Sequence, residues 1–228
     1  MNKSSIALVF LVFMTMLSLV SVGVATAACG DDVDGKRVPC RCGDVVVSDT
    51  RLQSGDPVVS DRCRSDGLIV RAAAGAGSIT LDLAGHSLIG MGHGTGIRVF
   101  DGGSEGAVII GGDGTAKAEV VGFGAGFKAR GQRSVKTVRN VRFVGNERDG
   151  VMLRGAGSEL VGVVAEGNGR DGVRAGGRNP RLEAVEVINN ARHGLRVTSP
   201  NAEVSDAITI QNGKPDAIKS RGSEGGNR

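Results

Sequence analysis

The chain has 228 residues, of which 38 are Gly, 6 are Phe and none is Trp or Tyr. So few aromatics argue against a nucleic-acid groove that stacks bases and against a glycan-cleaving cleft paved with Trp or Tyr. The formal net charge is +4, unevenly spread: residues 28–119 carry 9 Lys/Arg against 13 Asp/Glu, and residues 120–228 carry 18 against 11, so the later part is the part suited to an acidic partner.

Taken in chain order, Lys3 precedes an uncharged apolar stretch over 6–24, followed by Ala25-Thr26-Ala27. This reads as a signal peptide over 1–27, removed on export, with a secreted or periplasmic product. A retained membrane anchor is the rival reading, since the stretch is nearly long enough to span. A lipoprotein fits less well, because Thr26-Ala27-Ala28 before Cys29 lacks an aliphatic residue three positions ahead of the cysteine. The four cysteines, Cys29, Cys40, Cys42 and Cys63, all fall in the segment after the signal. In an oxidising compartment they form two disulfides. Of the three pairings, Cys29–Cys40 with Cys42–Cys63 is the one expected, stapling a cap over the open first coil. Zinc is the alternative, although Cys40 and Cys42 have no second pair of similar spacing and no His nearby.

From residue 67 the chain repeats. Gly-or-Ala plus apolar pairs, Gly67-Leu68, Gly96-Ile97, Gly126-Phe127, Gly150-Val151, Gly172-Val173, Gly194-Leu195 and Ala217-Ile218, recur at intervals that settle towards 22 residues. From residue 138 the period holds position by position, through Val138, Leu160, Leu182 and Val204, and through Asn146, Asn168, Asn190 and Asn212. Each repeat holds short alternating apolar runs, such as 138–143 and 150–153, divided by Gly and Asn, which are strands and turns. No sustained three-to-four apolar spacing supports helical repeats, and neither the leucine-rich signature nor the Gly-rich calcium nonapeptide is present.

The expected fold is therefore all-β: a right-handed parallel β-helix of about seven to eight coils of roughly 22 residues, with a disulfide-stapled N-terminal cap. Coils would stack about 4.8 Å apart, placing the Asn series in a hydrogen-bonded amide ladder. Residues 28–66 would form the cap and first coil, 67–220 the β-helix and 221–228 a disordered polar tail. The last coil fits better at 23, pairing Asn189 with Asn212 and Leu195 with Ile218, with Pro215 in a one-residue insertion. An uncapped last coil would offer its strand edges for association.

The run Thr80-Leu81-Asp82-Leu83-Ala84-Gly85-His86-Ser87-Leu88-Ile89-Gly90, preceded by Cys42-Gly43-Asp44 and by Cys63 and Asp66-Gly67-Leu68-Ile69-Val70, resembles the opening coils of bacterial secreted proteins of the pectin-lyase-like superfamily. The resemblance implies the parallel β-helix. For function it implies only a range, from polysaccharide lyases and hydrolases to epimerases, adhesins and members without activity.

Residues one and three positions beyond each apolar anchor face outward. The first set runs Ile69, Arg98, Lys128, Met152, Arg174, Arg196, Lys219, and the second Arg71, Phe100, Arg130, Arg154, Gly176, Thr198, Arg221. Nine of these fourteen are basic and none is acidic, several times the share expected from 28 Lys/Arg in 228 residues. Stacked like charges repel, so such a ladder points to a partner that neutralises it; a solvated, shielding face is the alternative. The substrate-binding residues expected are thus Arg98, Lys128, Arg130, Arg154, Arg174, Arg196 and Lys219, and the partner an exported acidic polysaccharide or other envelope polyanion rather than nucleic acid. Coil spacing is close to the rise per sugar of an extended polyuronate.

On the turn entering this face, Asp171 and His193 are expected on neighbouring coils, with Arg170 and Arg192 beside them. A His to take a proton next to a carboxylate, an Arg to neutralise that carboxylate and an Asp to orient the His make a usable acid–base set of Asp171, Arg192 and His193. Ordinary Asp-Gly turn chemistry explains the same residues structurally. Asn190-Ala191-Arg192-His193-Gly194 resembles the Asn-x-Arg-His-Gly turn of mannuronan C5-epimerases. The Asp-Pro-His motif and the Tyr of those enzymes are absent, which argues against an epimerase and leaves a polyuronate lyase as the enzymatic alternative. No cofactor is expected. Calcium between Asp149 and Asp171 is the alternative, which their flanking Arg residues oppose. The functional expectation is a non-catalytic binding protein, with a lyase or a structural envelope protein with a protein partner as alternatives.

Overall fold

Three short strands per repeat, each two to six residues long and alternating in burial, wind the chain into a right-handed parallel β-helix. The computed structural model describes residues 28–71, 77–100, 106–113, 117–131 and 136–219. The expected signal and tail, with Arg221, lie outside the described residues.

The first sheet stacks eight strands: Asp44–Val46, Leu68–Arg71, Thr95–Phe100, Ala125–Arg130, Val151–Arg154, Val173–Gly176, Leu195–Val197 and Ala217–Ile218. The second stacks seven: Thr50–Arg51, Ile79–Asp82, Ala107–Ile110, Lys136–Arg139, Glu159–Val161, Arg181–Glu183 and Glu203–Ser205. The third stacks seven: Arg62–Cys63, Leu88–Gly90, Ala118–Val121, Val141–Val144, Val164–Glu166, Glu186–Ile188 and Ile208–Ile210. Each coil visits the three sheets in that order, and all pairings between coils are parallel. The apolar anchors Leu68, Ile97, Phe127, Val151, Val173 and Leu195 form one register-matched inward column, and all are buried in the continuous core.

The period tightens along the axis. Leu68 pairs with Ile97 and Ile97 with Phe127 across long coils, whereas Val151, Val173 and Leu195 pair at 22 residues. The change coincides with an aromatic plug, fully buried Phe123 and the tilted pair Phe127–Phe143 with ring centres 6.1 Å apart. Phe123 also starts the amide ladder, its N–H donating to Asn146 Oδ1 at 3.0 Å. Below it Asn146, Asn168 and Asn190 each donate Nδ2–H to Oδ1 of the next Asn, at 2.9, 2.9 and 3.0 Å. Each also donates to a carbonyl of the coil before, and each Oδ1 takes a backbone N–H besides. The Gly of each anchor pair makes room for this column: a Cβ at Gly150 or Gly172 would stand 2.7 or 2.6 Å from the Nδ2 of Asn168 or Asn190.

The last coil corrects one expectation. Asn190 still bonds Asn212 at 22, but beyond it His193 pairs with Lys214, Arg196 with Ala217 and Val197 with Ile218, a spacing of 21 rather than 23. The coil therefore loses a residue instead of gaining one. In the preceding coils the N–H of Asp171 and of His193 donates to Asp149 Oδ1 and Asp171 Oδ1, and Pro215 has no N–H with which to continue that series.

The N-terminal cap is an antiparallel hairpin of Asp32–Val33 with Lys36–Arg37, turned by Asp34 and Gly35, both at positive φ as a two-residue hairpin turn requires. Disulfides Cys29–Cys40 and Cys42–Cys63 tie it to the first coil. No described cysteine is free, which leaves no thiolate for zinc. Arg37 forks onto buried Asp56 at 2.6 and 2.8 Å, and Asp56 also accepts the N–H groups of Cys40 and Gln53. Burial pushes the Asp56 carboxyl up, but Arg37 and these N–H groups outweigh it and hold the group below its ordinary 3.8. The disulfides fit an oxidising environment, extracellular or periplasmic. No described helix is long and apolar enough to cross a membrane.

Candidate functional site

The outward ladder of the first sheet stacks Ile69, Arg98, Lys128, Met152, Arg174 and Arg196 in register. The one-residue deletion removes Lys219 from it: Ala217 lies against Arg196, and the Lys219 N–H instead donates to Val197 O. In the second ladder Arg71, Phe100 and Arg130 stack, as do Arg154 and Gly176.

These cations fall into two groups. At the N-terminal end Arg98 is committed internally, with Nη2 2.7 Å from Asp66 Oδ1 and 3.2 Å from Thr95 Oγ1. Arg98 and Arg71 also flank the exposed Phe100 ring, at 5.9 and 5.3 Å. Further along, Lys128, Arg130, Arg154 and Arg174 have no acidic partner among the described residues. Partial burial, then the like charges of Arg130, Arg98 and Arg148, hold Lys128 below its ordinary 10.5.

Arg130, Arg154 and Arg174 converge, with Thr198, on a trough of ≈ 480 Å³ floored by Gly131, Gly155, Gly176 and Gly177. Gly176 takes the ladder position after Arg154, so no side chain fills the space that its neighbours border. The result is a concave surface with three guanidinium groups and exposed backbone, suited to a carboxylate, sulfate or phosphate on a flat ring.

The turn residues lie at the other edge of the sheet. Five residues of extended chain separate His193 from Thr198, roughly 16 Å at strand rise. Asp171 is 1% exposed, with Arg192 Nε 3.9 Å and Arg196 Nη1 3.7 Å from its two oxygens. Asp171 meets the backbone N–H of His193 at 3.4 Å, and the imidazole is held elsewhere, with Nδ1 2.5 Å from Pro215 O. A carbonyl only accepts, so Nδ1–H is the donor in this contact. The three residues Asp171, Arg192 and His193 are thus adjacent as expected, but Pro215 rather than Asp171 orients the ring.

Asp149 and Asp171, weighed for calcium, accept backbone N–H groups, and Asp171 faces two Arg side chains, surroundings that oppose a dication. Among the described residues no group of three or more His, Cys, Asp or Glu is placed to hold a metal. On the last coil Ile208 and Ile210 are 50% and 40% exposed on its third-sheet strand.

One set is not legible as a set in the sequence: Arg170 and Arg192 stand beside the turn residues there, Arg148 precedes Asp149 in the same way, and a 23-residue last coil puts Lys214 out of line with them. The structure joins all four in one column, with N–H···O bonds from Arg170 to Arg148, Arg192 to Arg170 and Lys214 to Arg192 of 3.1, 3.0 and 2.9 Å. No family model, no curated protein and no solved structure matches the chain.

Proposed function

We propose that this is an exported protein that binds an acidic polysaccharide, or another linear polyanion of the cell envelope, on the basic side of its first sheet without transforming it. One observation carries the reading: Arg130, Arg154 and Arg174 converge on an open trough with no acidic partner among the described residues. Arg51, Arg139, Arg142 and Arg181 on the other two sheets are all paired with carboxylates. The resemblance of 80–90 to secreted pectin-lyase-like proteins supports a glycan as the polymer. The scarcity of aromatics supports binding through charge rather than ring stacking.

Retention of the mature chain on immobilised polyuronate tests this. Arg154→Glu with Arg174→Glu is expected to abolish retention, and Arg139→Glu with Arg181→Glu to leave it intact. Unretained wild type at low salt would overturn the reading.

A second reading, a polyuronate lyase, is favoured by the placement of His193, its Nδ1 held by Pro215 O, next in the chain to Arg192 and on the coil after Asp171. It predicts ultraviolet absorbance from unsaturated product, lost in His193→Ala. Absence of such product from the wild type across polymannuronate, polyguluronate and polygalacturonate would dismiss it.

A further inference from the structure

The ladder of buried amides ends each of its turns in a cation. Asn146-Glu147-Arg148, Asn168-Gly169-Arg170, Asn190-Ala191-Arg192 and Asn212-Gly213-Lys214 repeat one pattern on four consecutive coils. Asn146, Asn168 and Asn190 are buried and Asn212, on the last coil, is partly so, while the residue two further on stands outside: Arg148, Arg170 and Lys214 are exposed and the Arg192 side chain is about two-fifths so. The stacked amides and the backbone bonds linking these cations from coil to coil fix their spacing at the coil rise of about 4.8 Å.

We propose that Arg148, Arg170, Arg192 and Lys214 form a rail that takes a linear acidic polysaccharide lengthwise, one negative charge to each coil. This rests on the polyanion reading above and adds to it a line of contact and a charge spacing. Three features set the rail apart from the sheet ladders. It is uninterrupted, where the sheet ladders are broken by Met152, Gly176 and Thr198. Among the described residues only Arg192 of the four has a carboxylate within 4 Å, the buried Asp171; Asp149, next in the chain to Arg148, is likewise buried, its Oδ1 accepting the Asp171 N–H. Its spacing is also fixed by the core rather than by flexible loops, so a polymer of matching period meets cations already in place. A 1,4-linked polyuronate carries one carboxylate per sugar at a rise close to the coil spacing. Phosphates of an extended polynucleotide are spaced more widely and would fall out of step.

The test uses end-labelled oligouronates of two to eight sugars, titrated by fluorescence anisotropy over a salt series. The proteins compared are wild type, a rail variant (Arg148→Gln, Arg170→Gln, Lys214→Gln) and a trough variant (Arg130→Gln, Arg154→Gln, Arg174→Gln), each with its melting temperature measured as a check on folding. The rail predicts affinity rising to about four sugars and then levelling. It predicts that the rail variant loses roughly 30-fold or more, with the slope of log K against log salt reduced by about two to three, and that the trough variant loses less. A trough variant that loses as much as or more than the rail variant overturns the rail while the polyanion reading stands. Wild type that binds no oligouronate overturns both. Tighter binding of a single-stranded oligonucleotide of equal charge overturns the assignment to a polysaccharide.

Discussion

The outer face of the first sheet and the outer faces of the other two are built at the same strand spacing, yet they treat charge in opposite ways. On the second sheet Arg51 meets Asp82 at 2.7 Å, Arg139 meets Glu159 at 3.1 Å and Arg181 meets Glu183 at 3.0 Å. On the third, Arg142 bridges Glu119 and Glu166, one coil to either side, at 2.7 and 2.9 Å. On the first sheet and the turn that enters it, Arg98 meets Asp66 and Arg196 meets Asp171, but Lys128, Arg130, Arg154, Arg174, Arg148, Arg170 and Lys214 have no carboxylate within 4 Å among the described residues. Two unit charges at coil spacing repel by about 1 kcal/mol even in water-like surroundings. The two paired faces show that this fold does not need to carry that cost. A group of unpaired cations on one face of a fold that pairs charges readily elsewhere is what a binding surface for a polyanion requires.

The comparison can be broken first at its support. Asn168→Leu leaves Asn146 and its backbone N–H without their acceptor, and is expected to cost about 3 kcal/mol or more, a melting temperature lower by roughly 10 °C. Calorimetry checks this; an unchanged melting temperature would mean the amide ladder does not hold the basic edge in place. Next in size, reversing Arg154 and Arg174 to Glu is expected to weaken polyuronate binding about 100-fold or more, with no loss of stability, since neither side chain has a partner to lose among the described residues. Breaking a paired face should do the reverse. Arg142→Ala removes two half-exposed ion pairs and is expected to cost about 1 kcal/mol in denaturant titration while leaving binding unchanged.

The smallest effect is one of pH. Lys128 holds its proton less tightly in the folded chain than its ordinary 10.5 in the unfolded one. Stability is therefore expected to increase as pH rises through the folded value towards 10.5, and Lys128→Met should remove that increase. Bound polyanion, by neutralising Arg130, Arg98 and Arg148, should flatten the same profile. A pH profile of chemical denaturation with and without polymer distinguishes these cases.

Much of this was legible in the sequence because the fold repeats. A 22-residue period in Asn146, Asn168, Asn190 and Asn212 can be counted without coordinates, and so can the one-in-two alternation that points Arg174 and Arg196 outward. The misreadings came where the repeat is broken. Pro215 fits an insertion in the sequence, but the structure shows a deletion. That slip put Lys219 in a ladder it does not join and hid Lys214 from the column it completes. Sequence also could not show which cations are free. Arg98 and Arg174 occupy equivalent ladder positions, and only the side-chain geometry commits one to Asp66 and leaves the other open to the trough. In the same way Asp171 and His193 were placed on adjacent coils, but the ring's partner proved to be the carbonyl of Pro215.

The most direct test of the central claim, that the unpaired cations of the first sheet and its entry turn exist to meet a polyanion, is the affinity of the wild-type chain for polyuronate across salt concentration. The account predicts measurable binding at low salt, with log K falling steeply and linearly against log salt as several counterions are displaced. Binding that is absent at low salt, or that is indifferent to salt, would contradict it.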